Sequence, residues 1–165
     1  MDFDLLNQAE HFYLREIGEP RDNSLRLVIE EAVTNRNGKP RSVLGELPEL
    51  QALRESASPI ESVAGCRCFE LIWDQYAAYL VTEELAGTGG NCEDEVYEGK
   101  RYRIYTKSNF LDHLAKDIGE ALEPIQHYKL ICLNHLIDIA AAKPPRVTQI
   151  PGGYPTSGQI ENLGR

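Results

Sequence analysis

HYKLICLNHLIDIAA, residues 127–141, sets two histidines, a cysteine, an asparagine and an aspartate among aliphatic side chains. It can be read as a metal or nucleophile cluster, or as a strand that runs into a helix. An internal echo favours the structural reading. When YRIYTKSNFLDHLA (102–115) is laid on YKLICLNHLIDIA (128–140), Tyr102 meets Tyr128, Ser108 meets Asn134 and Asp112 meets Asp138. The first N–H groups of a helix lack partners, and a Ser or Asn oxygen that accepts from them contributes about 1 kcal/mol. An aspartate in the first turn is favoured by the helix dipole. Both copies therefore read as strand, cap and helix, with the second helix stopped by Pro144 and Pro145.

Working outward, CRCFELIWDQYAAYLVTEEL (66–85) is ambiguous. Phe69, Ile72, Trp73, Tyr76, Ala77 and Leu80 fit a helical stripe, while Phe69, Leu71 and Trp73, then Tyr79 and Val81, fit alternating strand faces. Its aromatic content and the Gly-rich loop after it favour strand, with a bend near Asp74. Phe3, Leu6, Ala9, Tyr13 and Ile17 recur at steps of three and four, which predicts a helix ended by Gly18 and Pro20. Leu25, Leu27 and Ile29 mark a strand, PELQALRES (48–56) a short helix opened by Pro48, and RVTQI (146–150) a last strand. The expected fold is a single α+β domain over residues 1–150. Two or three helices pack on a mostly antiparallel sheet of four to six strands, and 151–165 form an extended C-terminal tail.

The chain has 165 residues, a formal charge of −9 and a pI near 4.9. Such a charge repels phosphate, so nucleic acid and anionic membranes are poor partners and a basic protein is the natural one. Between Arg67 and Lys100 there is no Lys or Arg, while Glu70, Asp74, Glu83, Glu84, Glu93, Asp94, Glu95 and Glu98 all fall there. The N-terminus carries acids where a secretory leader carries bases, and no apolar run is long enough to span a bilayer, which reads as cytoplasmic.

Candidate chemistry is sparse. Cys132, His127 and His135 lack a second ligand pair at zinc spacing. In a strand, Cys132 shares a side with Leu130 and Tyr128, and His127 faces the other way. Cys66 and Cys68 point to one side of a strand and pack as thiols; with Cys92 they make a three-thiol metal site geometrically possible, but nothing in the spacing requires it. No G-x-S-x-G motif occurs, and GTGG (87–90) lacks the Lys-Ser/Thr of a phosphate loop. No cofactor or metal is expected.

Three segments, FELIWDQYAAYLVTEEL (69–85), YEGKRYRIYTKSNFLDHL (97–114) and HYKLICLNHLIDIAAAKPP (127–145), resemble a family of small uncharacterised bacterial cytosolic proteins. The shared pattern is W-x-x-Y-x-x-Y-x-V, then G-K-x-Y-R-I-Y-x-K-S-x-F-L-D, then H-Y-x-L-x-x-x-N-H-x-I-D, over about residues 66–146. The resemblance implies bacterial origin and a shared fold, and it carries over no catalytic residue.

Two functional expectations follow. The first is a non-enzymatic acidic binding protein, of the kind that confers immunity by neutralising a basic toxin or nuclease. Trp73, Tyr76, Tyr79, Glu83, Glu84, Glu93, Asp94 and Glu95 would form its partner surface, aromatics giving rigid apolar area and carboxylates giving steering. The second is a small enzyme with a cleft built from Asp112, His113, His127 and Asp138. Neither reading fixes the oligomeric state.

Overall fold

The computed structural model describes residues 2–35, 58–83, 94–118 and 124–152. Two antiparallel sheets make up most of them. The first contains β1 (His11–Gly18), β2 (Leu25–Thr34), β4 (Cys68–Trp73) and β10 (Arg146–Ile150) in that spatial order, with β3 (Ile60–Glu61) paired to the end of β2. The second contains β5 (Ala78–Glu83), β6 (Val96–Glu98), β7 (Tyr102–Lys107), β8 (Gln126–Ile131) and β9 (His135–Ala141), ordered β5-β9-β8-β7-β6. The helices among the described residues are short: α1 (Asp2–Asn7) and α2 (Asn109–Ile118).

The expected α+β fold, one sheet under two or three helices, is therefore corrected to a two-sheet, mostly antiparallel β structure. Two misread segments account for it. The predicted helix over 3–17 stops at Asn7, and His11–Gly18 form β1 instead. There Phe12 and Leu14 alternate with half-buried neighbours, and the strand's pairing with β2 overrides the helical spacing. The second copy of the internal echo is not strand and helix but a β-hairpin, β8 to β9, closed by the hydrogen bond from Cys132 N–H to the His135 carbonyl at 2.9 Å. Ile137 and Ile139 face one side while Leu136, Asp138 and Ala140 face the other, and all five are buried. A central strand covered on both faces reads as a continuous apolar run, which length and periodicity do not separate from a buried helix.

Other expectations stand. The first copy of the echo is strand β7, the capping Ser108 and helix α2. Residues 68–83 are two strands broken at 74–77. The break is larger than a bend within one strand, because β4 belongs to the first sheet and β5 to the second. Leu25–Thr34 and Arg146–Ile150 are strands as expected. The helix over 48–56 and all of the tail beyond Gly152 lie outside the described residues.

The core lies between the sheets. Phe12 and Leu14 of β1, Leu25, Leu27 and Ile29 of β2, and Phe69, Leu71 and Trp73 of β4 join one cluster with Tyr102, Tyr128, Leu130, Ile137 and Ile139 of the second sheet. Each fully buried Leu, Ile or Phe contributes about 1.5–3 kcal/mol. The rings interlock, with Phe12 edge-on to Phe69 and Tyr102 stacked on Tyr128, both near 6 Å between centroids.

Candidate functional site

On the face of the second sheet away from the core, register places His127 of β8 opposite Ala140 of β9 and Tyr105 of β7. Asp138, two residues along β9 from Ala140, therefore falls diagonally beside His127 and directly opposite Lys129. The His127 ring reaches Asp138 through Nε2 at 2.9 Å and Ser108 Oγ through Nδ1 at 2.7 Å. Lys129 Nζ stands 3.0 Å from the same Asp138 oxygen. Tyr105 stacks on the imidazole at 4.1 Å between centroids, and Phe110 of α2 covers it from 5.1 Å.

Serine, histidine and aspartate in one hydrogen-bonded chain are the residue types of a nucleophile, its base and the orienting acid. This chain is closed. Ser108, His127 and Asp138 are all buried, and the Ser108 oxygen accepts the Leu111 N–H at 3.2 Å as the N-cap of α2. One arrangement of protons satisfies every group: the hydroxyl donates to Nδ1, which leaves the ring proton on Nε2 to donate to the Asp138 carboxylate. Burial alone would raise the Asp138 pKa, but the His127 hydrogen bond and the Lys129 charge outweigh it and hold the carboxyl below its ordinary value. The result is a buried polar staple that fixes α2 to the sheet.

The proposed cleft does not assemble. His127 and Asp138 are joined as described, but Asp112 and His113 are exposed positions on α2, with Asp112 in its first turn. The capping role of Ser108 is legible in the sequence, whereas its bond to His127 and the part of Lys129 are not. Had residues 135–141 been read as a strand, the alternation of side chains would have put His127, Lys129 and Asp138 on one face.

The partner-surface residues divide. Trp73 is in the core and is corrected from a surface role. Tyr76 and Tyr79 are half-buried beside one another, edge-to-face with ring centroids 5.1 Å apart. Glu19, which sequence reasoning did not single out, gathers both: its Oε1 accepts from the Tyr76 hydroxyl at 2.6 Å and from that of Tyr79 at 3.3 Å. The Glu19 hydrogen bond pushes the Tyr76 phenol up to about 12. Glu83 is exposed at the end of β5, and Leu80 on the same strand is 47% exposed. Asp94 is exposed near Lys107, and Glu95 accepts the Asn109 N–H at the start of α2. Glu84 and Glu93 lie outside the described residues.

The acid-only segment is not one acidic face. Glu70 pairs with Arg26, and Asp74 with both Arg21 and Arg146. Glu83 and Asp94 sit on opposite edges of the second sheet. The arginines are correspondingly occupied: Arg15 with Glu30, Arg67 with Glu31, Arg101 on the Glu10 carbonyl, and Arg103 over the Tyr97 ring. Among the described residues no three His, Cys, Asp or Glu side chains are placed to hold a metal ion, and no helix is long and apolar enough to cross a membrane. The free thiol of Cys66 lies in the turn before β4 and not on a strand beside Cys68, which begins β4, and Cys132 is buried in the core cluster that includes Leu130. Comparison with protein-family models, curated proteins and solved structures found no match.

Proposed function

We propose that the protein is a non-enzymatic binding protein whose partner is a basic protein, in the manner of an immunity protein that neutralises a cationic toxin or nuclease. The observation that carries this reading is the Tyr76–Tyr79–Glu19 cluster beside the outer edge of β5, on a chain of charge −9. Ion pairing removes equal numbers of both signs, so the net negative field remains, and the described arginines are already occupied. Tyrosines supply large contact area at small entropy cost, and a carboxylate between two phenols fixes their orientation. Glu83 lies on the same face of β5 as Tyr79, and the outer edge of β5 has no strand partner among the described residues.

The test is affinity capture from the host cytosol with the wild-type chain and with the Tyr76→Ala/Tyr79→Ala double variant. A basic protein retained by wild type, lost with the variant and weakened by salt supports the reading. Equal retention by both, or no retention at either ionic strength, overturns it.

A second reading, a small enzyme centred on His127 and Asp138, is favoured by the Ser108–His127–Asp138 chain alone. It requires ester or amide hydrolysis that disappears in Ser108→Ala while the fold persists.

A further inference from the structure

We propose that the cavity beside Glu30 is a recognition site for an alkylammonium group, separate from the tyrosine surface and resting on different residues. Glu30 lies on β2 opposite Cys68 of β4, on the side of the first sheet away from the core, and is 4% exposed. Arg15 takes one of its oxygens: Nε at 2.8 Å and Nη2 at 2.6 Å both reach Oε2. No hydrogen bond from the described residues reaches Oε1. That oxygen opens on a cavity of about 430 Å³ lined by Glu30, the segment Ser62–Cys66 and Gly152.

Two acceptors converge there. The position that a Cβ on Gly152 would occupy is 3.3 Å from the Cys66 carbonyl oxygen and 3.8 Å from Glu30 Oε1, with nothing closer. Ser62 lines the same cavity, and among the described residues no lysine or arginine does. A wall of oxygens suits a group with several donors and no acceptor, and an ammonium head has three. An anion would meet the unpaired lone pairs of Oε1 and be repelled. A hydrogen bond between an ammonium and a carboxylate is among the strong ones, which offsets part of the cost of drying the ligand's charge. The volume falls within the range of small-molecule sites, roughly 300–1,000 Å³, and Val63 and Ala64 offer apolar contact to a short alkyl stem.

The wall is also pre-shaped. Cys66 N–H donates to the Val63 carbonyl at 3.0 Å, and Cys66 Sγ accepts the Val63 N–H at 3.4 Å, closing a tight turn. Gly65 sits within that turn at φ 98°, a conformation that side-chain-bearing residues rarely adopt. A site with its loop already folded avoids much of the ordering cost of binding.

The ligand is either a free small amine or a lysine side chain on a polypeptide, and one experiment distinguishes them. Backbone amide NMR of the full chain is followed during titration with n-butylammonium, with n-butanol as its uncharged isostere, and with a blocked Gly-Lys-Gly peptide. The expected result is saturable shifts at residues 62–66 and 152 with the amine, at least about tenfold weaker with butanol. Tighter binding of the peptide assigns the site to a polypeptide lysine; equal or weaker binding assigns it to a free amine. Glu30→Gln should abolish the shifts. Because that change also strips Arg15 of its charged partner, Gly152→Ala serves as the second variant, placing a methyl 3.3 Å from the Cys66 carbonyl and 3.8 Å from Glu30 Oε1 while leaving the ion pair intact. It should weaken the amine at least about tenfold with an unchanged melting temperature. No saturable shift at millimolar amine, an equal response to butanol, or wild-type affinity in Gly152→Ala overturns the proposal.

Discussion

Asn134 holds both backbone groups of Leu14. Its Oδ1 accepts the Leu14 N–H at 2.9 Å, and its Nδ2 donates to the Leu14 carbonyl at 3.0 Å. Leu14 is where the β1–β2 register shifts, so the side-chain amide completes the hydrogen bonding of a bulged strand. The neighbouring Leu133 N–H donates to the Phe12 carbonyl at 2.7 Å, and the β8–β9 turn is thereby fastened to the first sheet. Asn134→Ala removes both bonds and strands two backbone groups. Loss of about 2 kcal/mol is expected, read as a lower urea midpoint with an unchanged slope. A variant as stable as wild type would show that water replaces the amide.

Ser108→Ala deletes the cap of α2 and leaves His127 Nδ1 without its partner in a buried site. A lost cap costs about 1 kcal/mol and an unsatisfied buried group about 1–3 kcal/mol, so a loss of about 2–4 kcal/mol is expected. Amide hydrogen exchange should quicken first at Leu111, whose N–H the Ser108 hydroxyl holds.

Asp138 gives stability a specific acid dependence. Its folded pKa lies below the ordinary 3.8, so the ionised form favours the folded chain. That contribution is complete above the unfolded value and is lost as pH falls through the lower folded one. The stability gap between wild type and Asp138→Asn should therefore be constant near neutrality and shrink below about pH 4. A gap that holds to lower pH would mean that the pair with His127 and Lys129 does not set the carboxyl.

The thiols should differ in reactivity. Burial pushes Cys132 up to about 12 and also raises Cys68, while Cys66 is half-buried on the cavity wall. Thiolate is the reacting species. Brief alkylation of the native protein, followed by peptide mass spectrometry, should label Cys66 well ahead of Cys68 and Cys132, and denaturant should remove the difference between them.

The fold was legible in sequence where a local signal had one meaning. Leu25, Leu27 and Ile29 alternate, and Ser108 with Asp112 marks a helix start, so β2 and α2 were readable. It was illegible where burial on both faces erases periodicity, as at Leu136–Ala140, and where a helical spacing was overridden by sheet pairing, as at His11–Gly18. Asn134 shows the limit most directly. An asparagine before an apolar run is an ordinary cap signal, but this one bonds to a strand 120 residues away. The candidate surface was half-readable for the same reason. Tyr76 and Tyr79 stood out by type, but Glu19, which unites them, reaches them only through the tertiary fold.

The order of the strands bears on biosynthesis. Sheet residues 78–141 are contiguous, so the second sheet can form as soon as that segment has left the ribosome. The first sheet cannot: β4 takes its outer partner, β10, from Arg146–Ile150, after the whole second sheet has been made. Until then the β4 edge is bare, and its closure is a contact between residues far apart along the chain, which folds slowly. A nascent polypeptide halted just before Arg146 should bind chaperones that the finished one ignores.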